Sequence, residues 1–162
     1  MIRGSQSAAA SPAGAIAQYI GKFEPSVARV IRGCRAALRK RFPAAVEQVY
    51  DNYNFLVFGF CSSERTSDCI VSLAAAAKGV SLSFYYGAGL PDPAGILLGS
   101  GSQNRFVRLE SAATLSQPAV ARMIDEAVKD AKTPLPTRGR GYTIIKSVSK
   151  KQQPRRRSAM NR

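Results

Sequence analysis

Histidine and tryptophan are both absent from the 162-residue chain. Without imidazole no Ser-His-Asp or Cys-His pair can be assembled, and the commonest general base is missing. The three cysteines, Cys34, Cys61 and Cys69, are odd in number and lack metal-ligand spacing. They predict reduced thiols, no zinc site and a cytoplasmic protein. No uninterrupted apolar run approaches the ~18 residues of a membrane span, and the opening MIRGSQSAAASPAG has no apolar h-region. Acids are scarce: ten Asp and Glu stand against 24 Lys and Arg, a formal charge of +14. Residues 1–132 net only +5, whereas residues 133–162 carry nine basic residues and no acid. The basicity is mostly a property of the C-terminal end.

What is present is enough for one domain, with 45% hydrophobic residues, six Tyr and seven Phe. Residues 1–11 are small and polar and read as a disordered leader. Ser11 as N-cap and Pro12 at N1 predict a short helix carrying Ile16, Tyr19 and Ile20 and ended by Gly21. A second helix is predicted from Pro25 to about Arg41, with Val27, Val30, Ile31, Cys34 and Leu38 on one stripe. Arg29, Arg32, Arg35, Arg39 and Lys40 make its other side a positive ridge, either a phosphate-binding face or a solvated outer face. PAAVEQVYD reads as a third helix, since Val46, Val49 and Tyr50 sit at i, i+3 and i+4. A strand is predicted over NYNFLVFGF, then two more over CIVSLAAAA and GVSLSFYYG joined at Lys78-Gly79, and a fourth over NRFVRL. From Leu115 a helix returns with Ser116 as cap and Val120, Met123, Ile124, Ala127 and Val128 buried. Residues 133–148 read as a linker with an edge strand around Tyr142, Ile144 and Ile145, and 149–162 as a basic disordered tail. The domain proper is thus 12–132.

The stretch Phe84 to Arg108, FYYGAGLPDPAGILLGSGSQNRFVR, holds five glycines and two prolines between two strands. That composition describes a shaped loop, where binding commonly resides. It contains neither a phosphate-binding GK[ST] loop nor a strand-GxGxxG-helix order. Its glycines suit either backbone anion binding beside Arg105 and Arg108 or plain turns, with Asp92 capping PAGILL. Asp92 and Arg105 also suit a buried ion pair. Tyr50, Asp51, Tyr53 and Asn54 read either as the mouth of a cavity or as an Asx-stabilised strand start. The ligand-binding candidates are therefore Tyr50, Tyr53, Asn54, Tyr86, Gly87, Asp92, Arg105 and Arg108. Lys150, Lys151, Arg155, Arg156 and Arg157 form a basic cluster suited to nucleic acid or another polyanion without sequence preference. No residue is assigned a catalytic or metal-binding role, and no cofactor is indicated.

PAAVEQVYDNYNFLVFGF, then SLSFYYGAGLPDPAGILLGSGSQNRFVRL, then a C-terminal helix, resembles the YdhG-like family of domains of unknown function. The more specific pieces are Phe84 leading into GAGLPDP, the LLGSG turn, and Arg105 with Arg108; the blocks cover about residues 25–130. IIKSVSKKQQPRRR is similar to the basic ends of some longer members. The resemblance implies an α+β fold, a mainly antiparallel sheet of four to five strands with N-terminal helices and a C-terminal helix packed on it. It implies no assigned enzyme activity. Some members are described as frataxin-like and proposed as iron chaperones, which gives an alternative function, and an enzyme of unknown reaction is a further one. Iron would want gathered carboxylates or imidazoles. Here only Asp125, Glu126 and Asp130 cluster, interleaved with Arg122 and Lys129. The reading that results is a non-enzymatic binding domain with a ligand or protein partner near the glycine-rich loop.

Overall fold

The N-terminal helices form where capping and periodicity place them. In the computed structural model, which describes residues 11–157, α1 spans Pro12–Gly21 and the Ser11 hydroxyl accepts the Gly14 amide at 3.2 Å. The leader before Ser11 and the residues after Arg157 lie outside the described residues. Helix α2, Pro25–Arg41, buries Ala28, Ile31, Cys34 and Leu38, and Arg39, Lys40 and Arg41 occupy its last turn. Cations there are favoured by the partial negative charge of the helix end.

The next element corrects the sequence reading: Val46–Asp51 is strand β1, not a helix. VEQVYD fits both periods, and a helical stripe of Val46, Val49 and Tyr50 leaves Glu47 and Asp51 off its apolar face. Both carboxylates are buried and each meets a cation. Arg35 donates to both oxygens of Glu47 at 2.8 and 2.9 Å, and Lys22 reaches Asp51 at 2.7 Å. With those charges compensated, Glu47, Val49 and Asp51 line the inner face of a strand. Residues 52–55 then form the β1–β2 turn, closed by the Asn52 amide on the Phe55 carbonyl at 2.9 Å.

Strands β2 (Leu56–Cys61), β3 (Cys69–Ala76), β4 (Gly79–Phe84) and β5 (Arg105–Leu109) continue an antiparallel meander. Helix α3, Pro118–Lys129, follows β5; Gln117 occupies its cap position in place of Ser116, without a side-chain hydrogen bond. The chain then reaches the opposite edge, where β6 (Tyr142–Val148) pairs parallel to β1. The fold is α+β, with a six-stranded mixed sheet in the order β5-β4-β3-β2-β1-β6. A sheet of four to five strands omitted β1 and the parallel pairing. No helix among the described residues is long and apolar enough to cross a membrane.

Register assigns the two faces. One buried row runs Val49, Phe58, Leu73, Leu82, Val107 across five strands. The helices cover this face with Ile16, Ile20, Phe23, Ile31, Leu38, Val120, Met123 and Ile124. The residues between them point to the other face, which α1, α2 and α3 leave uncovered.

Beyond β6 the chain does not leave as a tail. Residues 149–157 form a strap across the β1–β2 turn: the Ser149 amide donates to Asp51 O at 2.9 Å and the Gln153 amide to Tyr53 O at 2.8 Å. Arg155, only 5% exposed, inserts its guanidinium beside Phe23, donating to Asp51 at 3.1 Å and to the Asn52 carbonyl at 2.6 Å. Arg156 donates to the Gly21 and Lys22 carbonyls, and Arg157 to the Lys78 carbonyl. A basic run reads as solvated unless a buried acid awaits it, and Asp51 is that acid. Arg155 keeps two buried nitrogens, Nε and Nη1, without a hydrogen-bond partner. Removing the shared acid should therefore be worse than removing the arginine. Asp51→Ala is expected to cost about 3–5 kcal/mol in urea unfolding. Arg155→Met should cost distinctly less, since Lys22 still neutralises Asp51. Equal losses for the two would show that the strap is not anchored through Asp51.

Candidate functional site

The uncovered face of the sheet forms a groove. Two cross-strand rows floor it: Val57, Ala74, Ser81, Arg108 and Ser72, Ser83, Phe106. Alternation puts every one of these side chains opposite the helix-covered face. Toward β1 the face is closed by the β2–β3 loop. There Gln48, fully buried, donates to the Ser63 and Arg65 carbonyls and accepts from the Tyr50 hydroxyl at 2.7 Å. Toward β5 the face stays open and encloses about 860 Å³. One wall is Asn54, Phe55, Gln153 and Pro154; the other is Asn104, Phe106 and Arg108; the Ala77–Gly79 connection closes an end.

The chemistry of this lining is uneven. It contains no carboxylate, while Lys78 and Arg108 contribute two cations with no ion pair among the described residues. The Arg108 guanidinium lies over the Phe106 ring, 5.8 Å from its centroid. Phe55 is 46% exposed, an unusual position for a phenyl ring on a strand-turn junction. Small hydroxyl and methyl side chains between the aromatic walls leave the floor accessible.

The sequence-predicted residues distribute unequally around this groove. Asn54 and Arg108 line it. Tyr53 stands just outside, its hydroxyl accepting from Gln153 at 2.9 Å. Tyr50 is on the same face but belongs to its closed end, bonded to Gln48 and Thr66. Tyr86 points the other way, its hydroxyl donating to the Ser67 carbonyl at 2.8 Å beneath α3. The Asp92–Arg105 ion pair does not form. Asp92 accepts the Ile96 and Leu97 amides at 2.9 and 3.0 Å, making a side-chain-capped turn and no continuing helix. Arg105 donates to the Gly101 and Asn104 carbonyls. Both therefore shape the 84–108 loop from within, and its Leu98 extends the sheet edge by pairing with Phe106.

In the basic cluster, Lys150, Lys151, Arg156 and Arg157 remain exposed, but Arg155 is buried and unavailable to a polyanion. Asp125 pairs with Arg41 at 2.8 Å, and among the described residues no three His, Cys, Asp or Glu gather that could hold a metal ion. All three cysteines are free and buried, and burial pushes the Cys34 thiol up to about 11.

Sequence reasoning missed Phe55, Phe106, Ser72, Ser81, Ser83 and Lys78. A signal existed: Ser72 and Ala74 flank Leu73, and Ser81 and Ser83 alternate with Val80, Leu82 and Phe84, the pattern of a strand pair covered on one side only.

Gly87 has a structural duty. A Cβ there would lie 2.7 Å from Arg105 Cβ and 2.9 Å from its backbone nitrogen. Gly87→Ala is expected to destabilise the protein by about 1–3 kcal/mol in urea unfolding; an unchanged midpoint would remove the close approach as the reason for glycine. Set against protein-family models, curated proteins and solved structures, the chain matches none.

Proposed function

We propose that this protein is a non-enzymatic binding domain whose ligand lies on the uncovered sheet face, between Phe55 and Phe106. The observation that carries this reading is a groove of about 860 Å³ with aromatic walls, two unpaired cations and no acid in its lining. Its size is in the range of small-molecule sites. Such a lining suits a ligand with a flat apolar body and an anionic group, the body between the rings and the anion on Arg108, which lies over the Phe106 ring. The groove adjoins the end of the glycine-rich stretch, so this reading keeps the YdhG-like resemblance, with Asn54 and Arg108 as shared residues.

A binding role is favoured over catalysis because Tyr53, Asp92 and Arg105, through which an enzyme reading would have to work, are held in separate contacts. Attachment of a polyanion by the C-terminal residues would now rest on Lys150, Lys151, Arg156 and Arg157.

The probe of choice is 2-naphthoate, with uncharged 2-naphthol as its partner, followed by amide chemical shifts. Shifts are expected at Phe55, Ser81, Phe106 and Arg108. Arg108→Gln is expected to weaken 2-naphthoate about tenfold while leaving 2-naphthol unchanged. Perturbations clustered away from this face, or equal affinity of the variant for the naphthoate, would overturn the proposal.

A further inference from the structure

On the opposite edge of the sheet, Arg140 and Tyr142 separate two grooves of about 510 and 670 Å³. Arg39 and Lys40, from the last turn of α2, stand on one side with Phe42. Arg138 stands on the other. These four cations are exposed and make no hydrogen bond or ion pair among the described residues. The acids nearby are mostly spoken for. Glu47 is held by Arg35 at 2.8 Å and Asp68 by Arg65 at 3.1 Å, which leaves Glu64 as the one acid of these grooves without a cation.

Tyr142 is 52% exposed although it begins a strand. Its position is set by backbone. The Gly141 amide donates to the Pro43 carbonyl at 2.8 Å, and any side chain at Gly141 would collide with the Ala45 carbonyl oxygen. A ring held open to solvent in this way, with unpaired arginines before it and across from it, is what stacking on a base and neutralising the adjoining phosphates require.

From this juxtaposition we infer that the β6 edge is a binding surface for single-stranded nucleic acid, with Tyr142 as a stacking platform and Arg39, Lys40, Arg138 and Arg140 as phosphate contacts. The site is separate from the sheet-face groove and from the exposed lysines of the strap. Four phosphate contacts on a single strand predict a plot of log affinity against log salt with a slope of about −3.

The test is fluorescence anisotropy of the full chain with labelled dodecauridylate, with inorganic polyphosphate as competitor. Arg138→Gln with Arg140→Gln is expected to reduce the salt slope by about 1.4. Tyr142→Ala should weaken the oligonucleotide roughly tenfold and leave polyphosphate unchanged, whereas Tyr142→Phe should bind like the parent. Circular dichroism checks that each variant is folded. The inference is overturned by absence of binding at low salt or by an unchanged slope in the arginine double variant. Equal weakening of oligonucleotide and polyphosphate by Tyr142→Ala overturns it too, as does loss of binding confined to Lys150→Gln with Lys151→Gln.

Discussion

Asp51 is the constraint on which the arrangement depends. Buried at the end of β1, it accepts from Lys22 at the close of α1 and from Arg155 in the strap, so one carboxylate ties together three segments distant in sequence. A lone buried carboxylate would be costly, and so would a buried guanidinium. Each is tolerable because the other is there. The backbone follows the same logic: Gln152 donates to the Asp51 carbonyl and Ser149 to the same oxygen. The inner face of β1 consequently holds two charged residues while the sheet beside it is apolar.

That arrangement explains what could be read from the residues and what could not. α1, α2, the β2–β4 meander and α3 were legible because their patterns are local: Ser11 and Pro12 mark a start, and Ile31, Cys34 and Leu38 repeat at helical spacing. β1 was illegible because Glu47 and Asp51 are buried against partners far along the chain, and a periodic reading assigns charge to solvent. The strap failed for the same reason seen from its other end, since Arg155 is indistinguishable in sequence from Arg156 and Arg157. In the glycine-rich stretch the shape was legible and its contacts were not. Asp92 chose its own loop amides over Arg105, a short-range partner over a longer one.

The two faces of the sheet divide the work of the molecule. Phe58, Leu73 and Leu82 are sealed under helices, whereas Val57, Ala74 and Ser81, their neighbours in sequence, look into the open groove. Small residues on that face keep the aromatic walls of Phe55 and Phe106 apart. The β6 edge adds a surface of another kind, in which cations outnumber acids and the Tyr142 ring is half exposed beside Glu64. The groove takes Asn104, Phe106 and Arg108 from the end of the Phe84–Arg108 stretch, whereas the β6 edge is built without it.

The parallel seating of β6 has a consequence for how the chain is made. The Thr143 hydroxyl bonds to Glu47 across ninety-six residues, and the strap reaches Asp51 from farther still. On a ribosome, β1 emerges early and can pair with β2, but it has neither its second sheet neighbour β6 nor the counter-charge of Arg155 until residues 142–155 have left the exit tunnel. Until then the outer edge of β1 is unprotected. Closing it takes both the β6 backbone and the strap that follows.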